Sequence, residues 1–139
     1  MIMVIFVKNR NELRDIIIKV LYQVYLFEEA HLTYDITSLI KDQIEVENDF
    51  VNDSVNGVLK NKTKIVSLAN LYLNDWTIDR LNKVDQAILS LGIYELMYTD
   101  VPSVVAINEA VELSKKYSDE AVTKMINGVL DKIYHEEEK

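Results

Sequence analysis

Cysteine is absent from the 139-residue chain, and glycine and proline are scarce, with three residues and one residue. The absence of cysteine excludes disulfide frameworks, thiolate metal sites, iron–sulfur clusters and cysteine nucleophiles. So few glycines and prolines leave little material for the tight turns that a β-sandwich or β-barrel requires. The two histidines, His31 and His135, lie far apart and in no metal-ligand pattern. We therefore expect a helical protein with no metal site and no cofactor.

Long apolar runs are also missing. The opening MIMVIFV is apolar for only seven residues, with no basic stretch before it and no small-residue cleavage site after it. It is therefore neither a signal peptide nor a membrane span, and no other stretch approaches the roughly 18 uncharged residues that a span requires. These features predict a cytoplasmic protein without a membrane partner.

Basic residues are outnumbered by acidic ones, 15 against 23, which gives a net charge of −8. A protein that binds nucleic acid unaided usually carries the opposite charge, because neutralising phosphates supplies most of its affinity. Residues 1–30 hold four acidic and four basic residues, so the whole net charge lies in the rest of the chain. The N-terminal arm is the least acidic part of the molecule.

Apolar residues recur with a helical period along most of the chain. In the first segment they are Leu13, Ile16, Ile17, Val20, Leu21, Val24 and Phe27. This spacing predicts an amphipathic helix, and similar patterns further on predict an all-α fold, a single compact bundle of about seven helices.

The tetrapeptide NGVL occurs twice, with its glycines at Gly57 and Gly128. Asn-Gly often marks a hairpin turn, but here the helical spacing of the apolar residues continues across both copies. A glycine inside a helix costs about 1 kcal/mol relative to alanine. We therefore predict two mid-helix glycines, each placed where two helices approach closely.

One face of the first predicted helix combines basic and aromatic side chains. A basic side chain one or two turns from an exposed tyrosine suits single-stranded RNA, because it offers a charge for phosphate and a ring for base stacking. The alternative is an ordinary polar helix face with Tyr22 packed sideways against a neighbour. The residues of this basic–aromatic row are Arg10, Arg14, Ile18 and Tyr22 at four-residue intervals, with Lys19 and Tyr25 alongside.

The sequence contains no recognisable catalytic constellation. It has no glycine-rich phosphate loop, no HExxH motif and no nucleophile elbow. Asp75 and Asp79 have the spacing of a carboxylate pair on one helix face, which keeps a hydrolase as a contrasting hypothesis. Solvated acids at the start of a helix are much commoner than such pairs, so we predict that the protein is not an enzyme and has no catalytic residues.

Three strings follow one another in the second half of the chain: LNKVDQAILSLGIYEL, DVPSVVAINEAVELSKKY and MINGVLDKI. Their order and spacing resemble the NusB family of transcription antitermination factors, and Leu21-Tyr22-Gln23 fits the first helix of that family. The middle of the chain, residues 33–74, matches only in helical pattern and length. The length of the chain favours a stand-alone NusB over the NusB-like domain of RNA cytosine methyltransferases.

The resemblance implies an all-helical fold with two subdomains, about 8–75 and 76–139, and no enzymatic activity. It implies a factor that binds boxA-type single-stranded RNA together with the ribosomal protein NusE. This complex would stay with RNA polymerase, as part of an antitermination complex, and support ribosomal RNA transcription.

The residues that the resemblance and the basic–aromatic row assign to RNA are Lys8, Arg10, Arg14, Lys19 and Tyr22, and those assigned to the partner protein are Asp79 and Asp85. Asn11, Glu12 and Ser90 stand at positions where family members often carry arginine. The alternative to an RNA-binding factor is therefore a helical protein-binding module, or a homodimer with weak or lost RNA binding.

Overall fold

The computed structural model describes residues 8–137, so the apolar opening MIMVIFV lies outside the described residues. Within that range the chain forms seven α-helices, one short 3-10 helix and no strand. This confirms the all-α prediction with about seven helices. The helices are α1 (Arg10–Glu29), α2 (Ile36–Gln43), α3 (Asp49–Lys60), α4 (Lys62–Tyr72), α5 (Lys83–Tyr98), α6 (Ser103–Tyr117) and α7 (Glu120–Glu136), with the 3-10 helix at Ile78–Arg80 between α4 and α5.

Short polar side chains fix the starts of five of these helices. At each of them an asparagine or aspartate oxygen accepts a hydrogen bond from a backbone N–H of the first turn, which typically contributes about 1 kcal/mol. The capping residues are Asn9 for α1, Asp35 for α2, Asn48 for α3, Asn82 for α5 and Asp119 for α7.

Helix α5 is the centre of the bundle and contacts α1, α3, α4, α6 and α7. Every residue from 87 to 93 is buried, as expected for a helix that is covered on all sides. α1 runs antiparallel to α5, because Arg14 meets Glu95 at one end and Glu29 meets Lys83 at the other. α6 lies beside both helices, so the exposed face of α1 is bordered by α6.

The two NGVL glycines lie inside α3 and α7, as predicted, but only one of them lies at a close approach. A Cβ atom at Gly57 would overlap the ring of Tyr94 on α5. At Gly128 a Cβ atom would meet no neighbouring atom within 4 Å, so the prediction of a close helix crossing there is wrong. Gly128 is partly exposed at the margin of the buried face of α7, where no neighbouring helix comes close.

The predicted boundary between two subdomains, near residue 75, falls in the connection between α4 and the 3-10 helix. The division itself stays a prediction. None of the helices between residues 8 and 137 has the length and apolar character needed to cross a bilayer.

Candidate RNA interface

The basic–aromatic row of α1 does not form one exposed face. Tyr22 is 37% exposed and Arg10 is exposed, but Arg14 is only 4% exposed and Ile18 is fully buried between them. Each step of four residues turns the row by about 40° around the helix. α1 packs against α2, α3, α5 and α6. Because the row turns around the helix, these neighbours cover its middle residues, Arg14 and Ile18, and leave Tyr22 exposed.

Arg14 is a structural residue in this arrangement. Its Nε atom lies 3.0 Å from both carboxylate oxygens of Glu95 on α5. Its Nη1 atom lies 4.0 Å from the carboxylate of Glu109 on α6. Burial raises the pKa of Glu95, and the hydrogen bond from Arg14 acts in the opposite direction. The expectation that Arg14 faces a phosphate is therefore wrong, because its guanidinium is buried and already bonded to a carboxylate.

Lys8 and Arg10, the two basic residues around the start of α1, are accessible. The guanidinium carbon of Arg10 lies 3.9 Å from the centre of the Phe50 ring on α3, so this cation stacks on an aromatic face. Lys8 is exposed, and its ammonium lies 3.9 Å from the carboxylate of Glu12. Exposed ion pairs of this kind are weak, so Lys8 remains available to another anion.

Lys19 belongs to a cluster that sequence reasoning missed. Its ammonium lies 3.2 Å from one carboxylate oxygen of Asp15, and the ammonium of Lys116 lies 3.2 Å from the other. The hydroxyl of Tyr117 also donates to Asp15. Burial raises the pKa of Asp15, but the hydrogen bonds from Tyr117, Lys116 and Lys19 outweigh it and leave the pKa below its usual value. Two half-exposed lysines and a tyrosine thus meet around one carboxylate.

Lys19 also connects this cluster to Tyr22. Residues three apart on a helix lie side by side, so Lys19 and Tyr22 are neighbours on α1. Together Lys19, Tyr22, Lys116 and Tyr117 form what we call the lysine–tyrosine strip. The string KKY at the end of α6 was visible in the sequence, but nothing in its local pattern showed that it meets the middle of α1.

Beyond Tyr22 the surface continues into a groove of about 510 Å³. Tyr22, Leu26 and Val84 contribute apolar surface to it, and Asp79 also lines it. Asp79 is exposed on the 3-10 helix, where it accepts a hydrogen bond from the hydroxyl of Thr77. The structure therefore brings Asp79, which the sequence assigned to the partner, beside Tyr22, which it assigned to RNA.

Asp85 is not part of this surface. It is 3% exposed, and it accepts a hydrogen bond from the hydroxyl of Ser118 in the turn between α6 and α7. Burial raises its pKa, although the bonds from Ser118 and Asn82 oppose the shift. The assignment of Asp85 to a surface that touches the partner is wrong, because the carboxylate is turned inward and ties the start of α5 to that turn.

The strip offers recognition chemistry. Lysine ammonium groups attract phosphates, and an exposed tyrosine ring offers a face on which a base stacks.

Asp75 and Asp79, the pair considered for a hydrolase, are both exposed. Among residues 8–137 there is no group of three or more histidines, aspartates and glutamates able to hold a metal ion.

Comparison with known proteins gives a consistent match along the chain. A family model described as the NusB family matches residues 11–135. The transcription antitermination protein NusB of Listeria innocua is 40% identical over 130 residues, which cover 93% of this chain and 98% of the relative. The NusB of Campylobacter jejuni is 39% identical, with 88% and 93% of the two chains covered.

Solved structures show the same similarity in three dimensions. T. maritima NusB superposes with a TM-score of 0.81 at 29% identity, covering 94% of each chain. A crystal structure of the antitermination factors NusB and NusE in complex with double-stranded RNA superposes with a TM-score of 0.78 at 28% identity, covering 91% of this chain and 96% of that one. The similarity thus extends over nearly the whole length of both proteins.

Proposed function

Because this chain belongs to the NusB family, we propose that it is a non-enzymatic transcription antitermination factor. It binds boxA-type single-stranded RNA together with the ribosomal protein NusE, and it acts in the cytoplasm on ribosomal RNA transcription by RNA polymerase. A NusB relative of similar fold forms a complex with NusE and RNA, which supports this proposal.

The observation that carries the RNA-binding part is the lysine–tyrosine strip. Lys19 and Lys116 supply positive charge beside the exposed ring of Tyr22. Lys8 extends the basic surface toward the start of α1, where it lines one surface depression with Lys19 and Lys116. Arg10 stacks on Phe50 on the opposite face of α1, so we leave it out of this surface. Arg14 has no place in this interface, since its guanidinium is bonded to Glu95.

The partner protein supplies the positive charge that this acidic chain lacks. The net charge of −8 opposes binding of RNA by this chain alone, but it favours encounter with a basic protein. Asp79 is the residue that we assign to the partner, because it is exposed and lines the groove that begins at Tyr22. RNA therefore lies along the strip while NusE occupies the neighbouring acidic surface.

The test measures binding of a labelled boxA-type RNA by fluorescence anisotropy, with and without NusE, between about 50 and 200 mM salt. We expect tight binding only in the presence of NusE. Tyr22→Ala weakens the complex by about 1–3 kcal/mol with little change in salt dependence, because it removes a stacking face. Lys116→Ala lowers the log–log salt slope by about 0.7, the value for one lost contact with single-stranded RNA.

Two variants serve as matched controls. Tyr134→Ala removes another exposed tyrosine and Lys124→Ala another exposed lysine, both on α7 and outside the strip. Neither should change the affinity for RNA. If Tyr22→Ala and Lys116→Ala bind RNA like the parent, the strip is not the interface. If the parent binds no RNA even with NusE, the protein-binding module is the correct function. A duplex RNA of the same sequence shows whether the single-stranded form is preferred.

A further inference from the structure

A separate groove of about 840 Å³ opens where the start of α1, α3, the end of α5 and the start of α6 meet. Three aromatic side chains line it, Phe50, Tyr94 and Tyr98, and we call them its aromatic floor. The rings of Tyr94 and Tyr98 stack with their centres 5.9 Å apart. Tyr98 is 38% exposed, and Val105 beside it is also exposed. The groove thus presents accessible aromatic faces.

The position of Tyr94 depends on Gly57. The ring lies against the backbone of α3 at Gly57. It occupies the space that a side chain at this position would need. The hydroxyl of Tyr94 lies 3.4 Å from the carbonyl oxygen of Asp53, one turn earlier on α3. The aromatic floor is therefore a packed feature that joins α3 and α5.

Carboxylates surround this floor. The basic residues that line the groove are Arg10 and Arg14, and Arg14 is paired with Glu95. The acidic residues that line it are Asp49, Asp53, Asp100 and Glu109, and the first three are exposed. Four carboxylates against two guanidinium groups, one of them paired, make the lining negative, and we call the three exposed carboxylates its acidic rim.

The chain itself shows which kind of group this combination accepts. The guanidinium of Arg10 stacks on Phe50, with its carbon 3.9 Å from the ring centre. Cations are attracted to the faces of aromatic rings, and neighbouring carboxylates strengthen the attraction. The pair Tyr94 and Tyr98 offers the same chemistry beside Asp53 and Asp100. A nucleotide would stack on these rings equally well, but its phosphate would face the acidic rim.

We propose that this acidic aromatic groove docks an arginine- or lysine-containing segment of a partner protein. A second copy of this chain is a poor occupant, because each copy carries a net charge of −8. The groove is also separate from the RNA strip, since Arg10 and Lys19 are nine residues apart on α1, about two and a half turns, and therefore lie on opposite faces of the helix. The inference does not depend on RNA binding.

The test uses the full chain and the peptide acetyl-Arg-Leu-Arg-amide as a probe, with binding mapped by two-dimensional NMR of the labelled protein. We expect saturable shifts at Tyr94, Tyr98 and Asp53. The same peptide with citrulline in place of arginine keeps the planar shape and three of the five N–H donors but loses the charge, so it should bind at least about threefold more weakly.

Variants locate the site. Tyr98→Ala should weaken peptide binding by about tenfold, and Asp53→Asn should weaken it while leaving the aromatic floor intact. The matched controls are Tyr134→Ala and Asp42→Asn, which remove an exposed tyrosine and an exposed carboxylate outside the groove. Thermal melts establish that all four variants are folded, and Asp53→Asn keeps the test valid if Tyr98→Ala is not.

Five results would overturn the inference. The first four are an absence of saturable shifts, equal binding of the citrulline peptide, equal losses in the control variants, and shifts in the groove caused by RNA instead of the peptide. A fifth is a shift of the groove signals when the protein concentration alone is raised, which would identify a second copy as the occupant.

Discussion

Replacing Arg14 by methionine tests the buried ion pair between α1 and α5. The side chain of Glu95 is almost completely buried, and Arg14 is the cation that contacts it. Arg14→Met would leave this carboxylate without its hydrogen-bonded cation, with Glu109 nearby and only the more distant charge of Arg10 to offset it. Removing one partner of a buried pair typically costs about 3–5 kcal/mol. Since the free energy of unfolding of a domain is usually only about 5–15 kcal/mol, this is a large fraction of the total.

The reciprocal variant and the double variant separate the charge effect from packing. Glu95→Leu leaves Arg14 buried but still 4.0 Å from Glu109, so it should cost less than Arg14→Met. The double variant removes both charges from the interior and should recover much of the lost stability, because apolar replacements of buried pairs are often neutral or stabilising. Urea denaturation of the four proteins gives the coupling free energy.

The pH dependence gives a second readout. Burial raises the pKa of Glu95 above its ordinary value of 4.5, and loss of Arg14 raises the pKa further. A carboxyl with a raised pKa binds more protons in the folded state, so stability falls as the pH rises through the interval between the unfolded and the folded pKa. The cost of Arg14→Met should therefore be larger at pH 8 than at pH 5.

Two results would refute this reasoning: a cost below about 1 kcal/mol, since a buried unpaired charge costs more than an exposed one, or an equal cost at both pH values. The variant also separates stability from RNA binding. Because Arg14 is almost completely buried and its guanidinium is bonded to Glu95, Arg14→Met should leave the salt slope of RNA binding unchanged wherever the protein is folded.

The other predictions concern the NGVL glycines and Asp15. Gly128→Ala should raise the free energy of unfolding by about 1 kcal/mol. Gly57→Ala should lower it, because the added Cβ would displace the ring of Tyr94. Urea denaturation measures both changes, and equal effects would contradict the packing at Gly57. Asp15 has a pKa below its ordinary value of 3.8, so its ion pairs stabilise the protein at neutral pH. The stability difference between Asp15→Asn and the parent should therefore shrink as the pH falls below 3.8 and the carboxylate becomes protonated. The same variant should strengthen RNA binding in the anisotropy assay, because Lys19 and Lys116 lose the carboxylate between them, and weaker binding would count against the strip.

Local signals in the sequence were sufficient for the helices. The 3.6-residue period of apolar positions predicted α1 and the later helices, and it correctly placed both Asn-Gly pairs inside helices rather than in hairpins. The motifs between Leu81 and Ile133 indicated the family, which the match over residues 11–135 confirms. These features depend on residues that are close together along the chain.

Burial was decided by the tertiary structure. Arg14 and Tyr22 belong to the same row, but α5 and α6 supply Glu95 and Glu109 to cover the first and leave the ring of the second open. Gly57 and Gly128 share the sequence NGVL, yet only Gly57 has an aromatic ring packed against it. Identical local patterns therefore had opposite surroundings.

The candidate RNA surface was also decided by the tertiary structure and not by local patterns in the sequence. Lys19 and Lys116 are far apart in the sequence and meet only because α6 runs beside α1, while Asp85 is withdrawn from the surface by Ser118. A helical period reports the direction of each side chain around its own axis. Which of those directions leads to solvent is set by the other helices, and their positions follow from packing between segments distant in the chain.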